Sequence, residues 1–379
     1  MYMDKKFIMK KFVLLLFIFV VLIVNILSAQ PLKPGFDKSE CLTMLEIGAH
    51  FGDSAYANKF PEPAGYKLIY SSPVVGMENR WELWVNDSAV AVISLRGTTK
   101  SAVSWLENFY SAMVPAAGEL HLSDSFDFKY ELASNPRAAV HVGWLIGIAF
   151  LSRDILPKID SLYKNGIKNF FISGHSQGGA LTFLLTSYLY NLQMQKKLPS
   201  DIRFKTYSTA SPKVGNLYYA YDYAAMTQFG WAYNVVNSAD WVPEGMFSIQ
   251  TPDDFNKTNP FINAKELISK LPFPKDLVLK YIYNQMDRPV RKAEYRFQDC
   301  LGKGLEDYVK KAIPGFRPPA SYFNGMDYVR VGNVIVLLAD ADYYKLFPDN
   351  PNTLFVHHFH EAYYYLAKKL PDSNGSSAP

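Results

Sequence analysis

The sequence predicts an α/β fold: a central, mostly parallel sheet with helices packed on both faces. Three observations carry that expectation. Apolar runs of strand length alternate with helix-length segments through the middle of the chain, and parallel strands need such crossovers. The composition, 49% hydrophobic, 15% aromatic and 20% charged over 379 residues, furnishes a large buried core without the biases of disordered, collagen-like or coiled-coil chains. A Gly-x-Ser-x-Gly pentapeptide, Gly174 to Gly178, stands between one such strand and one such helix. One large domain with an insertion suits this length as well as two smaller ones, and we expect one domain over 30–370.

Taken in order, the chain opens on a secretory leader. Lys5, Lys6, Lys10 and Lys11 precede an apolar run from Phe12 to Val24, extended past Asn25 by Ile26 and Leu27, and Ser28-Ala29 forms a small-residue exit. The run is short of the about 20 residues that span a bilayer. Residues 1–29 are therefore expected to be a cleaved signal peptide and the protein to be exported, periplasmic or extracellular, a retained membrane anchor being the alternative. No Cys lies near the exit, which argues against a lipoprotein anchor. The chain's net charge is +4, most of it from these lysines, and the nearly neutral remainder has no footprint for nucleic acid. Cys41 and Cys300 are the only two cysteines. In an exported protein such a pair leaves a disulfide open beside two separate buried thiols.

Trp81–Asn86 and Ala89–Leu95 read as strands joined at Asp87-Ser88 into a hairpin, which makes the sheet mixed. Asn169–Ser173, Phe204–Ser208, Tyr233–Asn237 and Tyr328–Leu338 read as further strands. Helices are expected near Gly143–Tyr163, Ala180–Lys196 and Leu217–Phe229. From Met246 to Asn324 the alternation stops. There Leu271-Pro272-Phe273-Pro274 and Phe316-Arg317-Pro318-Pro319 bracket amphipathic pieces, which we read as a cap-like insertion beside the sheet. The tail, 371–379, is expected to be disordered.

Gly174-His175-Ser176-Gln177-Gly178 follows an apolar strand and opens a helix, the arrangement of a nucleophile elbow. The turn is tight enough that side chains two residues either side of the serine would collide, hence the two glycines. Ser176 is then held at the tip in a strained conformation, with the positive end of the helix pointing at the site. An ordinary Gly-rich turn of a nucleotide-binding fold is the bland alternative, but neither phosphate-binding glycine pattern can be written here.

An elbow serine needs a base within hydrogen-bond reach and a carboxylate to orient that base. The chain order in this arrangement is Ser, then Asp or Glu, then His. Of seven histidines only His357, His358 and His360 follow a plausible acid. Asp240 and Asp340 each sit just past a strand, and each is equally readable as a turn or helix-cap aspartate. Pro243 favours Asp240 without excluding Asp340. The histidine cluster lacks the spacing of a zinc site, so no metal is expected.

Arg96-Gly97-Thr98, Val140-His141-Val142-Gly143, the elbow, Pro212-Lys213-Val214-Gly215-Asn216 and Val235 to Pro243 fall in one order along the chain. In that order they resemble the class 3, or fungal-type, lipases of the α/β-hydrolase superfamily. The likeness runs from about Val90 to Pro243, with a weaker echo at Tyr328–Tyr363. It implies Ser176 as nucleophile and Asp240 as acid, with backbone amides of Thr98 and Gln177 as oxyanion hole. It implies His358 as base, from its spacing to Tyr363, with His360 second. The 118 residues from Asp240 to His358 exceed the separation in compact members. The segment after Thr98 corresponds to the family's lid. Val103, Leu106, Tyr110 and Met113 stand there at helical spacing beside Trp105 and Phe109, a pattern that a mobile lid and a core helix share.

The expected function is that of a secreted serine hydrolase cleaving carboxylic esters of acyl lipids, without metal or organic cofactor. Lipid or other ester is the expected partner, with contact to a lipid surface and no obligate protein partner. Phospholipase A1, triacylglycerol lipase, short-chain esterase and transfer to an alcohol stay open. A non-catalytic binding protein on a hydrolase scaffold is the alternative.

Overall fold

The computed structural model describes residues 32–372; the expected signal peptide, and the expected disordered tail from residue 373 onward, lie outside them. Seven strands stand side by side in chain order: β1 (Tyr66–Ser71), β2 (Trp81–Asn86), β3 (Val90–Leu95), β4 (Asn169–His175), β5 (Arg203–Thr209), β6 (Ala232–Asn237) and β7 (Asn333–Leu337). The first two pairings are antiparallel and the other four parallel. The hairpin and the mostly parallel sheet thus stand where the sequence put them.

The inner strands β3 and β4 are largely apolar because both of their faces are covered, as crossover topology requires. In β3, Ala91, Ile93 and Leu95 enter a core shared with α3 (Val142–Lys164), α4 (Gln177–Met194) and α5 (Leu217–Met226). Val90 and Val92 point the other way, into a core shared with α1 (Lys38–Ala49) and α8 (His360–Lys368). In β4, Phe170 and Ile172 take the first face and Phe171 the second. Each large apolar side chain buried this way stabilises the sheet sandwich by about 1.5–3 kcal/mol.

Three sequence expectations change. The single strand over Tyr328–Leu338 is broken at Gly332, whose φ of 84° turns the chain. Only Asn333–Leu337 joins the sheet, and Val329 instead bridges Gly215. The helical stripe after Thr98 ends at Phe109: α2 spans Ala102–Phe109, and Met113 belongs to a short strand paired with Ala139–His141. The Tyr110 carbonyl accepts from Gly143 N at 2.9 Å, which draws the chain onto the start of α3. The two cysteines are both free, Cys41 buried and Cys300 exposed, so neither a disulfide nor a pair of buried thiols is present.

Unanticipated elements include β1, an edge strand with Lys67, Leu68 and Ile69 exposed and a register shift between Leu68 and Tyr70. Without alternation it carries no period for a sequence to show. In the long segment after β6, Ser248–Ile249 and Met326–Asp327 pair antiparallel as a separate two-stranded sheet. Between them lie α6 (Ala264–Ser269) and α7 (Lys275–Leu301).

Candidate active site

β4 delivers Ser176 and α4 begins immediately after it. Ser176 has φ 62° and ψ −127°, a conformation that costs a non-glycine residue about 1–3 kcal/mol and persists only where its surroundings impose it. The glycines are what allow it. A Cβ on Gly174 would lie 2.3 Å from the Gly178 carbonyl oxygen, and one on Gly178 would lie 2.2 Å from that of Leu95.

The serine hydroxyl sits 2.8 Å from His358 Nε2, and His358 Nδ1 sits 2.8 Å from Asp240 Oδ2. With Nδ1–H donating to the carboxylate, Nε2 is left to accept from the serine. Asp240 is buried on the loop leaving β6. Its Oδ2 also accepts from Tyr363 OH at 2.8 Å, and its Oδ1 accepts from Val242 N at 3.0 Å. Two side-chain donors and a backbone amide thus hold the carboxylate in one orientation. Three residues separated by 182 positions meet because β4, β6 and the segment before α8 end at the same edge of the sheet.

The other candidates separate cleanly. Asp340 caps the helix Ala341–Leu346, accepting from Tyr343 N at 2.8 Å, and pairs with Lys369. His357 bonds Tyr343 OH at 2.8 Å and Asp349 at 3.0 Å. His360, the second choice for base, lies beneath the site instead of in it. Its ring stacks on His175 with centroids 4.0 Å apart, and its Nδ1 meets Tyr56 OH at 3.2 Å. Burial, reinforced by His358 nearby, lowers it to about 3. It is the first residue of α8, so its side chain follows the helix into the second core and away from the serine.

His175 is a residue whose part the sequence did not reveal. It occupies the variable position of the pentapeptide and precedes any acid, so the chain-order rule removes it as a base. In the structure its Nε2–H donates to the His358 carbonyl at 2.6 Å, and its Nδ1 meets Thr209 Oγ1 at 2.8 Å. Burial first, then the two neighbouring histidines, holds it well below the usual imidazole range. A neutral ring thereby ties the His358 loop to the elbow.

Thr98 and Gln177 line the same cleft as Ser176. Gln177 is the first residue of α4, so its amide has no acceptor within the helix. Thr98 follows β3, and its hydroxyl accepts from Asn108 Nδ2 at 2.9 Å. Asn108 in turn accepts from Trp144 Nε1 at 2.9 Å through its side chain and from His141 Nε2 at 3.0 Å through its carbonyl. The α2 helix therefore anchors by its polar residues and turns Trp105 and Phe109 toward the cleft. Val103 and Leu106 pack against the main core, so the helix gives its aliphatic residues to the body and its aromatic ones to the cleft. It is held from behind as well, since a Cβ on Gly143 of α3 would lie 2.1 Å from the Glu107 carbonyl oxygen.

Glu107 itself is wholly buried, with Asn79 Nδ2 donating to its Oε2 at 2.7 Å. Burial pushes its carboxyl from the ordinary 4.5 up to about 8. Between those values the folded chain holds a proton that the unfolded chain has released, so stability falls as pH rises through that window. Glu107→Gln, isosteric with the protonated acid, is expected to flatten this fall, whose slope approaches about 1.4 kcal/mol per pH unit. Urea denaturation of both proteins across the window measures it. Parallel pH dependences would mean that Glu107 is ionised throughout.

Among the described residues no group of three or more His, Cys, Asp or Glu is disposed to hold a metal ion. A mostly parallel sheet that turns through a strained serine into a helix, with an aspartate and a histidine brought to the same edge, defines an α/β-hydrolase. In comparison with known proteins, residues 92–249 match the model of the family described as Lipase (class 3). Over those residues, somewhat less than half of its length, the chain is similar to the class 3 lipases. The matched span contains Thr98, Ser176, Gln177 and Asp240 but stops well short of His358.

Among solved structures the chain is similar to the Rhizomucor miehei lipase propeptide complex, with 19% identity, 56% of this chain and 65% of that one covered, and a TM-score of 0.41. It is similar to Rhizomucor miehei triacylglyceride lipase at 19% identity, covering 56% and 76%, with a TM-score of 0.41. A triacylglycerol lipase from Penicillium expansum follows at 15% identity, covering 57% and 74%, with a TM-score of 0.39. The chain spans just under two thirds of the first of these. No curated protein matches it.

Proposed function

We propose that this protein is an exported hydrolase of acyl-lipid esters, with Ser176 as nucleophile, His358 as general base and Asp240 orienting it. The supporting observation is the hydrogen-bonded line from Asp240 through His358 to Ser176, opening onto an apolar cleft of about 610 Å³. Trp105, Phe109, Trp144, Trp241, Met246 and Phe247 line that cleft, and such walls suit an acyl chain better than a polar substrate. Export rests on the leader-like residues 1–29. One hydrolase domain over 30–370, carrying the insertion, is the organisation that goes with this reading.

The mechanism follows from the order of groups. Ser176 Oγ attacks the ester carbonyl carbon as its proton passes to His358 Nε2. Asp240 stabilises the imidazolium and keeps its Nδ1–H directed at the carboxylate. The oxyanion that forms accepts from the backbone amides of Thr98 and Gln177, and each such donor lowers the barrier by about 3–4 kcal/mol. The carbon–oxygen bond to the alcohol then breaks, and the departing oxygen takes the proton from His358. Water repeats the sequence on the acyl-enzyme and releases the fatty acid.

A fluorophosphonate is the direct test. It is expected to label the wild-type chain once, at Ser176, and a p-nitrophenyl ester series from acetate to palmitate is expected to favour the longer chains. An unlabelled wild type would favour a non-catalytic scaffold. Preference for acetate with no rise on aggregated substrate would make the protein a soluble esterase.

A further inference from the structure

The insertion carries a helix whose amphipathicity faces the wrong way for a soluble protein. Along the N-terminal half of α7, Leu277, Val278, Leu279, Tyr281, Ile282 and Met286 are all exposed. At 100° per residue they share one broad arc. The polar arc faces inward. Asp287 of that arc is buried, pairs with Lys265 of α6 at 3.2 Å, and accepts from Arg291 Nε at 2.7 Å. Arg291 also clasps Asp253 at the root of the insertion. The ion pairs therefore fix the helix with its apolar side outward. Just before it, Phe273 is 80% exposed. Contiguous apolar surface of this extent marks an interaction site.

Charge identifies the partner. Residues 257–292 hold eight basic side chains against three carboxylates, a net of five positive charges where the whole chain carries four. A second copy would oppose like charges across such a face, whereas an anionic surface complements it. Among the described residues no helix is long and apolar enough to cross a membrane. A helix with one apolar arc and a surplus of lysines lies instead in the plane of the lipid–water boundary. The root of the same helix reaches the cleft wall: Phe297 packs on Phe247, ring centroids 4.8 Å apart, and Phe247 lines the cleft.

We propose that residues 257–292 form a docking arm that lays the apolar arc of α7 into an anionic lipid surface and so holds the cleft at that surface. The proposal deepens the acyl-lipid reading of the site, but binding itself does not depend on catalysis. The test is sedimentation of the full chain, as Ser176→Ala to prevent hydrolysis, with vesicles of phosphatidylglycerol or of phosphatidylcholine.

Preferential binding to phosphatidylglycerol, weakened by salt, is expected. Combining Leu277→Ser, Tyr281→Ser and Met286→Ser should weaken it about tenfold or more. The same three changes in the Ser176 background should leave hydrolysis of soluble p-nitrophenyl acetate unchanged, which controls for folding. Binding that the triple change does not weaken would overturn the arm, as would failure of the parent to bind phosphatidylglycerol. A dimer that the triple change dissolves would assign the face to a second copy and overturn it too. Vesicle binding by a chain that hydrolyses no lipid ester would uphold the arm and refute the lipase reading.

Discussion

Ser176→Ala is expected to lower kcat on any ester roughly a million-fold, while substrate binding stays close to that of the parent. The separation follows from the geometry. Ser176 contributes a single oxygen to a cleft of about 610 Å³ whose apolar wall is built by Trp, Phe and Met side chains, so deleting that oxygen removes the attacking group and little of the apolar surface that would hold an acyl chain. Alanine also keeps the Cβ that the elbow already accommodates at φ 62°, so the fold should tolerate the change. Residual turnover above water, from the oxyanion donors and binding alone, is expected at about a thousandfold. Stopped-flow and steady-state assays on one p-nitrophenyl ester, with dissociation of a product fatty acid measured alongside, read both quantities. A variant retaining a tenth of the parent kcat would move the nucleophile elsewhere.

The second large effect separates three histidines that sequence spacing leaves close together. His358→Ala is expected to cost about as much as loss of the serine, because nucleophile and base act as a unit. His357→Ala removes bonds to Tyr343 and Asp349 on the outer side of the loop, and turnover should stay within a few-fold of the parent. His360→Ala removes a buried ring stacked on His175 and should appear chiefly in stability, at about 3 kcal/mol. The signature is therefore a split between observables: kcat for 358, melting temperature for 360, neither for 357. Near-normal turnover in His358→Ala would overturn the assignment. Partial restoration of His358→Ala by added imidazole would support it, since the vacated ring position lies against Ser176 Oγ, which lines the cleft.

The elbow was legible because a local constraint writes itself into adjacent residues. Gly174 and Gly178 are demanded by backbone oxygens 2.3 and 2.2 Å from where a Cβ would stand, and both lie within two residues of the serine. The sheet was legible for a similar reason. Inner strands such as β3 and β4 are largely apolar, and the crossover helices between β4, β5 and β6 have the length that parallel pairing needs. Gly332 broke the strand expected over Tyr328–Leu338 because an apolar run does not record the sign of φ. Glu107 left no signal at all: a glutamate on a short amphipathic helix reads as solvent-facing until α3 is packed against it.

Order along the chain, together with glycine sterics and hydrophobic period, determined the fold class, the serine and the short set of possible partners. Those are properties of neighbours, so neighbours suffice to express them. Which aspartate and which imidazole reach the serine was decided only by tertiary packing. The 118 residues between Asp240 and His358 carry no register of their own. What aligns the two is that β6 and the segment before α8 end at one edge of the sheet, with Tyr363 and His175 fixing the last ångströms. The outward face of α7 is of the same kind. Its period is visible in the residues, but which side meets the body is set by Lys265, Asp287 and Arg291 once the helices have met.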